Sequence, residues 1–158
     1  MYSEFSEEKL RSICREYIET FEKWARIIVD MELTRKYGID YIHTKNSDGN
    51  FLIKKEIVKK ADKMRQDEPT RFPKPVDIFF FEDIIYLLCR QDLYQDCFSS
   101  FLSKMYPDGD NEVRTFLERL IPIRNKLSHT NPFSRREVEQ CVCYCIDYIE
   151  SKKNILTK

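Results

Sequence analysis

The chain has 158 residues, of which 42% are hydrophobic and 34% are charged, with only three glycines and six prolines. This composition suits a globular helical protein and disfavours a β-sandwich or a disordered tail. The 27 basic residues are matched by 27 acidic ones, so long-range attraction of nucleic acid or an anionic membrane by the whole molecule is excluded. Any site for a polyanion must be local.

The cysteine pattern and the N-terminus indicate the compartment. All six cysteines lie in apolar periodic stretches, where a free thiol behaves as a small hydrophobe. The first nine residues are polar and acidic and do not form a signal sequence. The longest apolar run, residues 76–89, is interrupted by acids and is too short to span a bilayer. We therefore expect a cytoplasmic protein with no membrane association.

The predicted elements begin with one long helix. Apolar residues recur at steps of four and three from Leu10 to Met31, and Gly38 should end the helix. The next segment, near 39–54, contains an Asn-Ser-Asp-Gly turn and forms either a short hairpin or an irregular loop. Helical spacing returns over about 52–66.

Three further helices and a final one complete the prediction. After the prolines at 69, 73 and 75, a strongly apolar helix runs to Cys89, and another follows as far as Met105. The penultimate helix covers about 111–128, and a Ser134-x-x-Glu137 capping box starts the last helix, which continues to about 153. We expect an all-α, single-domain bundle of about five to six helices over residues 1–158.

The penultimate helix places a cation on its apolar stripe. Residues three or four apart share one face of a helix, so the stripe passes through Leu120, position 124 and Leu127. Position 124 is arginine. A buried unpaired charge costs several kcal/mol, so Arg124 needs an anion, a water-filled cleft or another subunit. An acid in the core is one interpretation, and a functional cleft is the other.

Asn125 and His129 are four residues apart, so on a continuous helix the amide could orient the imidazole. Arg124 and His129 would then diverge by about 140°, and they converge only if the helix ends between them. A helix ending is predicted here because Pro132 cannot continue it. The short connection brings the start of the last helix, with Arg135 and Arg136, close to His129, an arrangement suited to phosphate.

The Arg-Asn-x-x-x-His pattern at a helix end, followed by a short loop and a final helix, resembles the signature of the HEPN superfamily (higher eukaryotes and prokaryotes nucleotide-binding). The runs at 77–85, 98–101 and 117–123 are similar to stand-alone bacterial HEPN proteins of defence and toxin systems. The resemblance covers roughly residues 77–150.

This resemblance implies a metal-independent endoribonuclease that acts as a homodimer, with Arg124, Asn125 and His129 as catalytic residues. RNA would be cleaved to a 2′,3′-cyclic phosphate and a 5′-hydroxyl without a cofactor. Lys126, Ser128, Arg135 and Arg136 are weaker candidates for substrate binding. A role as a toxin or phage-defence effector would add an antitoxin or regulatory protein as a partner.

Other interpretations stay open. Many HEPN-like domains are inactive modules for dimerisation, nucleotide binding or protein binding, and His129 could simply cap helix carbonyls. Lys55, Lys59 and Lys63 are either a solvated helix face or an RNA path. The cysteines at 141, 143 and 145 invite a metal site, but core packing is favoured because position 143 should point away from the other two.

Overall fold

The computed structural model describes residues 5–103, 106–128 and 134–156. Within these ranges the fold is all-α and contains no β-strand, so the predicted fold class is confirmed. None of the described helices is both long enough and apolar enough to cross a membrane. The helices are α1 (Glu7–Tyr37), α2 (Lys55–Asp67), α3 (Phe81–Cys89), α4 (Gln91–Leu93), α5 (Ser99–Leu102), α6 (Asp110–Leu117), α7 (Leu120–Leu127) and α8 (Arg135–Leu156).

Shorter helical pieces connect these elements. A π-helical segment, Tyr94–Phe98, joins α4 to α5, and two 3-10 turns cover Tyr41–His43 and Pro75–Ile78. Helix α1 ends as predicted, because Gly38 adopts a φ of +93° and donates its N–H to the Thr34 carbonyl at 2.8 Å.

The chain divides into two compact units. Unit 1 comprises Met1–Trp24 and Ser99–Lys158, and unit 2 comprises Ala25–Phe98. The described core of unit 1 includes Leu10, Cys14, Ile18, Phe21, Leu102, Val113, Leu117, Leu120, Ile123, Val138, Cys141 and Cys145. The core of unit 2 includes Ile28, Val29, Leu33, Tyr41, Ile42, Ile53, Ile57, Ala61, Ile78, Phe79, Ile84, Ile85, Leu88 and Leu93.

The segment at 39–54 is a loop whose two sides are joined by an isolated antiparallel bridge between Lys45 and Phe51, without β-strands. The side-chain oxygen of Asn46 accepts the backbone N–H groups of Asp48 and Asn50 at 3.0 and 3.1 Å. The predicted Asn-Ser-Asp-Gly turn therefore forms, and its own hydrogen bonds hold it without extended strands.

The predicted penultimate helix is divided into α6 and α7. Pro122 has no N–H to donate to the Glu118 carbonyl, and that carbonyl instead accepts the Ile121 N–H at 3.2 Å. This tighter turn ends α6 at Leu117 and starts α7 at Leu120.

Candidate functional site

Helix α7 carries the first part of the predicted motif in its last turn. Leu120 and Ile123 are buried, whereas Arg124 is partly exposed and Asn125 is exposed. Arg124 therefore borders the buried face of α7 that Leu120 and Ile123 form, and it does not lie fully within the core. Helix α7 ends at Leu127, and Ser128 is its exposed C-cap residue.

Arg124 opens onto a shallow depression between α7 and the first part of α1. The depression has a volume of about 190 Å³ and its lining includes Arg15, Glu19 and Glu22. The remaining lining residues are Ile18, Leu127 and Ser128. Two carboxylates thus balance the charge of two guanidinium groups in the depression. Arg124 therefore has both solvent access and acidic neighbours, which are two of the environments expected for it from the sequence.

Lys126 fixes the end of α7 within unit 1. Its Nζ lies 2.6 Å from the Oε2 of Glu137 in the first turn of α8. Its carbonyl oxygen accepts a hydrogen bond from the guanidinium of Arg11 in α1 at 3.2 Å. Lys126, a weaker candidate for substrate binding, is therefore ion-paired, and it connects α7 to both neighbouring helices.

The start of α8 is the predicted capping box. The Ser134 hydroxyl accepts the Glu137 N–H at 3.2 Å, and the Glu137 carboxylate accepts the Ser134 N–H at 3.2 Å. Burial acts to raise the pKa of Glu137, but hydrogen bonds from Lys126 and Ser134 outweigh it and lower the pKa. A carboxylate therefore occupies part of the helix start that the sequence suggested for a phosphate.

The other predicted substrate-binding residues lie at the same end of unit 1. Arg135 and Arg136 are exposed in the first turn of α8, and Arg135 Nε lies 3.7 Å from a carboxylate oxygen of Glu139. His129 lies outside the described residues, as does the predicted connection at 130–133. We call residues 124–128 and 134–137 the α7–α8 junction.

The cysteines pack as the sequence predicts. Cys141 and Cys145 are buried whereas Cys143 is exposed, so position 143 points away from the other two. The pKa of Cys14 is raised by its side-chain hydrogen bond with Cys141 and by burial, which keeps this thiol protonated. Among the described residues, no three His, Cys, Asp or Glu side chains are grouped to hold a metal ion.

The lysine-rich face of α2 is exposed at Lys55, Lys59 and Lys63. Lys60 is different, because its Nζ lies 2.7 Å from Asp83. Sequence reasoning did not associate this face with Arg90, which lines the same groove as Lys55. No sequence signal joins them, since they come from separate segments of the chain.

His43 has a defined hydrogen-bonding environment that its sequence context did not predict. Its Nδ1 lies 2.7 Å from Asp40 and its Nε2 lies 2.7 Å from Asp62 in α2. The hydrogen bond to Asp40 raises the pKa of His43, and the bond to Asp62 adds to this, while burial opposes it. The ring links the 3-10 turn to α2.

Comparison of the chain with protein-family models, with curated proteins and with solved structures gave no match. The HEPN resemblance therefore rests on the motif at 124–129 and the residues that flank it. It remains a prediction from the sequence.

Proposed function

We propose that the protein is a metal-independent endoribonuclease of HEPN type that acts as a homodimer. The observation that carries the proposal is the end of α7 at Leu127, between Arg124 and His129. Two side chains five residues apart on an unbroken helix would diverge by about 140°. A helix that ends between them removes this obstacle to a shared site.

The chemistry assigns a role to each motif residue. The imidazole of His129 accepts the proton of a ribose 2′-hydroxyl, whose oxygen then attacks the adjacent phosphorus. The bond from phosphorus to the 5′-oxygen breaks, and the partner's His129 gives that oxygen a proton. Arg124 stabilises the added negative charge on the phosphate, and Asn125 orients the imidazole. The products are a 2′,3′-cyclic phosphate and a 5′-hydroxyl.

Two observations at the end of α7 support this assignment. The side chain is partly exposed and lines an open depression, so a phosphate can approach it. The pairing of Lys126 with Glu137 holds the last turn of α7 against the first turn of α8, where Arg135 and Arg136 are exposed. A short, fixed helix end is the support that an active residue requires.

Purified protein incubated with RNA in excess chelator tests the proposal. We expect cleavage by the wild type, and a loss of about 10²- to 10⁴-fold in rate in both Arg124→Ala and His129→Ala. Arg114→Ala, an exposed arginine in α6, is the matched control and should cleave normally. The cyclic phosphate ends should be detectable by mass spectrometry. Cleavage that survives both motif substitutions would refute the assignment.

Dimerisation is tested separately, with the dissociation constant of the dimer measured by analytical ultracentrifugation. If the dimer supplies both imidazoles, the specific activity for RNA cleavage should fall when the protein is diluted below that dissociation constant. A monomer with full activity would exclude the two-histidine mechanism. An antitoxin partner, a role in phage defence and a cytoplasmic location belong to the same proposal.

A second candidate is a catalytically inactive helical module for dimerisation, nucleotide binding or protein binding. The observation that favours it is the distribution of acids around the motif, since Glu19 and Glu22 line the depression and Glu137 neutralises Lys126. Such pairing can serve structure alone. Absence of RNA cleavage under every condition, together with an intact fold, would support this candidate.

A further inference from the structure

A groove in unit 2 gathers positive charge and aromatic rings. Its volume is about 540 Å³, and its lining includes Lys45, Lys54, Lys55, Phe51 and Tyr86. No Asp or Glu is among its described lining residues. None of the three lysines forms an ion pair with a described carboxylate, which distinguishes them from Lys60 of α2.

The walls of the groove are fixed by hydrogen bonds. The loop wall is closed by the Lys45–Phe51 bridge and by the Leu52 N–H, which donates to the Thr44 carbonyl at 2.7 Å. On the opposite wall the guanidinium of Arg90 donates to the Leu52 carbonyl, and its Nε lies 2.7 Å from Asp92. Arg90 therefore positions the loop, while the lysines supply the charge that remains for a ligand.

The start of α2 adds to the positive potential in the groove. Lys54 is the N-cap residue, and its side chain accepts no N–H group of the first turn. Helix starts favour Ser, Thr, Asp or Asn at this position, and the helix dipole disfavours cations there. Glu56 in the same turn is exposed and does not line the groove. A bound anion would relieve the repulsion that Lys54 and Lys55 create.

The ammonium groups of two of these lysines lie over aromatic rings. The Nζ of Lys54 is 6.0 Å from the ring centroid of Tyr86, and the Nζ of Lys45 is 5.2 Å from that of Phe51. The Tyr86 side chain is 40% exposed despite its size. Phe51 is partly exposed. Accessible rings interleaved with lysines are the pattern by which proteins stack bases and hold the phosphates between them.

We propose that this groove binds single-stranded nucleic acid, with phosphates at Lys45, Lys54 and Lys55 and bases stacked on Tyr86 and Phe51. The proposal is independent of catalysis at residues 124–129. It assigns to unit 2 a binding activity that would remain even if the motif residues were inert.

Binding is measured by fluorescence anisotropy with a short 2′-O-methyl oligoribonucleotide. This probe has no free 2′-hydroxyl within its chain, so attack by that group cannot cut it and binding is read without cleavage. We expect Lys54→Glu/Lys55→Glu to weaken binding at least about tenfold. The dependence of log affinity on log salt should also fall, by about 0.7 for each lysine lost.

The matched control is Lys59→Glu/Lys63→Glu, which makes the same charge change at exposed positions of the same helix that do not line the groove. It should weaken binding much less. Equal loss in both variants would mean nonspecific attraction to α2 and would overturn the proposal.

Stacking is tested with Tyr86→Ala, which should weaken binding about tenfold, since base stacking is worth about 1–3 kcal/mol per base. Phe80→Ala is its control, because Phe80 is 62% exposed and does not line the groove. A Tyr86→Ala protein with unchanged affinity, or one whose probe is displaced fully by an equal charge of inorganic phosphate, would contradict base recognition.

Discussion

The α7–α8 junction and the groove of unit 2 both display lysine and arginine, but they use these charges differently. At the junction Lys126 is paired with Glu137, Arg135 lies near Glu139, and Arg124 shares its depression with two glutamates. In the groove no described carboxylate lines the walls beside the lysines.

A cation that belongs to a motif is therefore not always a cation that is available to a polyanion. A paired lysine fixes two helices relative to each other and leaves little potential for a ligand. An uncompensated lysine at a helix start does the reverse, because it costs stability and attracts anions. At the junction the charges therefore connect α7 to α8, whereas no described carboxylate lines the groove beside its lysines.

The largest effect is expected at Glu137, which is the partner of the paired lysine at the junction. Glu137→Ala removes both the capping box of α8 and the partner of Lys126. We therefore expect the free energy of unfolding, measured by thermal denaturation, to fall by about 1–2 kcal/mol. The loss should shrink in acid. Since the native pKa is lowered, this stability is present above the ordinary glutamate value of about 4.3 and disappears as the pH falls through the native pKa.

Glu139→Ala is the control for that experiment, because its pair with Arg135 is exposed at the surface of the same helix. It should cost less than about 0.5 kcal/mol. If both variants are equally stable, the junction charges do not hold the helices together.

At the groove we expect a substitution to increase stability instead of reducing it. Lys54→Asp supplies an acceptor at the N-cap of α2, where the backbone is non-helical (φ −49°, ψ 129°). Thermal unfolding should show a gain of up to about 1 kcal/mol, while binding of the oligonucleotide falls. Lys59→Asp, within the same helix, should give no gain. A destabilised Lys54→Asp protein would argue that Lys54 serves the fold.

The smallest effect is expected at His43. The native pKa is raised, so the stability from its bonds to Asp40 and Asp62 is complete below the ordinary histidine value of about 6.5 and is lost as the pH rises through the native pKa. The partly exposed ring limits this to below about 1 kcal/mol.

Unfolding of the wild type and of His43→Gln should therefore differ at pH 6 and converge in more alkaline buffer. His129→Gln is the control, and it should keep the pH dependence that arises at His43. If the difference in stability between the wild type and His43→Gln grew as the pH rises, the raised pKa of His43 would be contradicted.

Local spacing alone determined much of the fold. The four-and-three pattern predicted α1, and Gly38 predicted its end, because both depend on helical periodicity and on backbone conformation within one turn. The Ser134–Glu137 capping box and the outward direction of Cys143 were predicted for the same reason. Each involves residues at most four positions apart.

The division between α6 and α7 was harder to predict. One helix over about 111–128 was expected, whereas α6 ends at Leu117 and α7 begins at Leu120. The sequence contained the cause of the break, Pro122, but only the structure showed that it divides the helix.

What surrounds each candidate residue was decided by tertiary structure. Arg124 lines a depression together with Glu19 and Glu22 of α1, and Lys54 lines a groove together with Lys45 and Tyr86, through segments that are distant along the chain. Periodicity assigns a residue to a face of its own helix but does not say which other helix covers that face. Because charge compensation depends on those neighbours, the sequence located the cations and the fold determined which of them are paired.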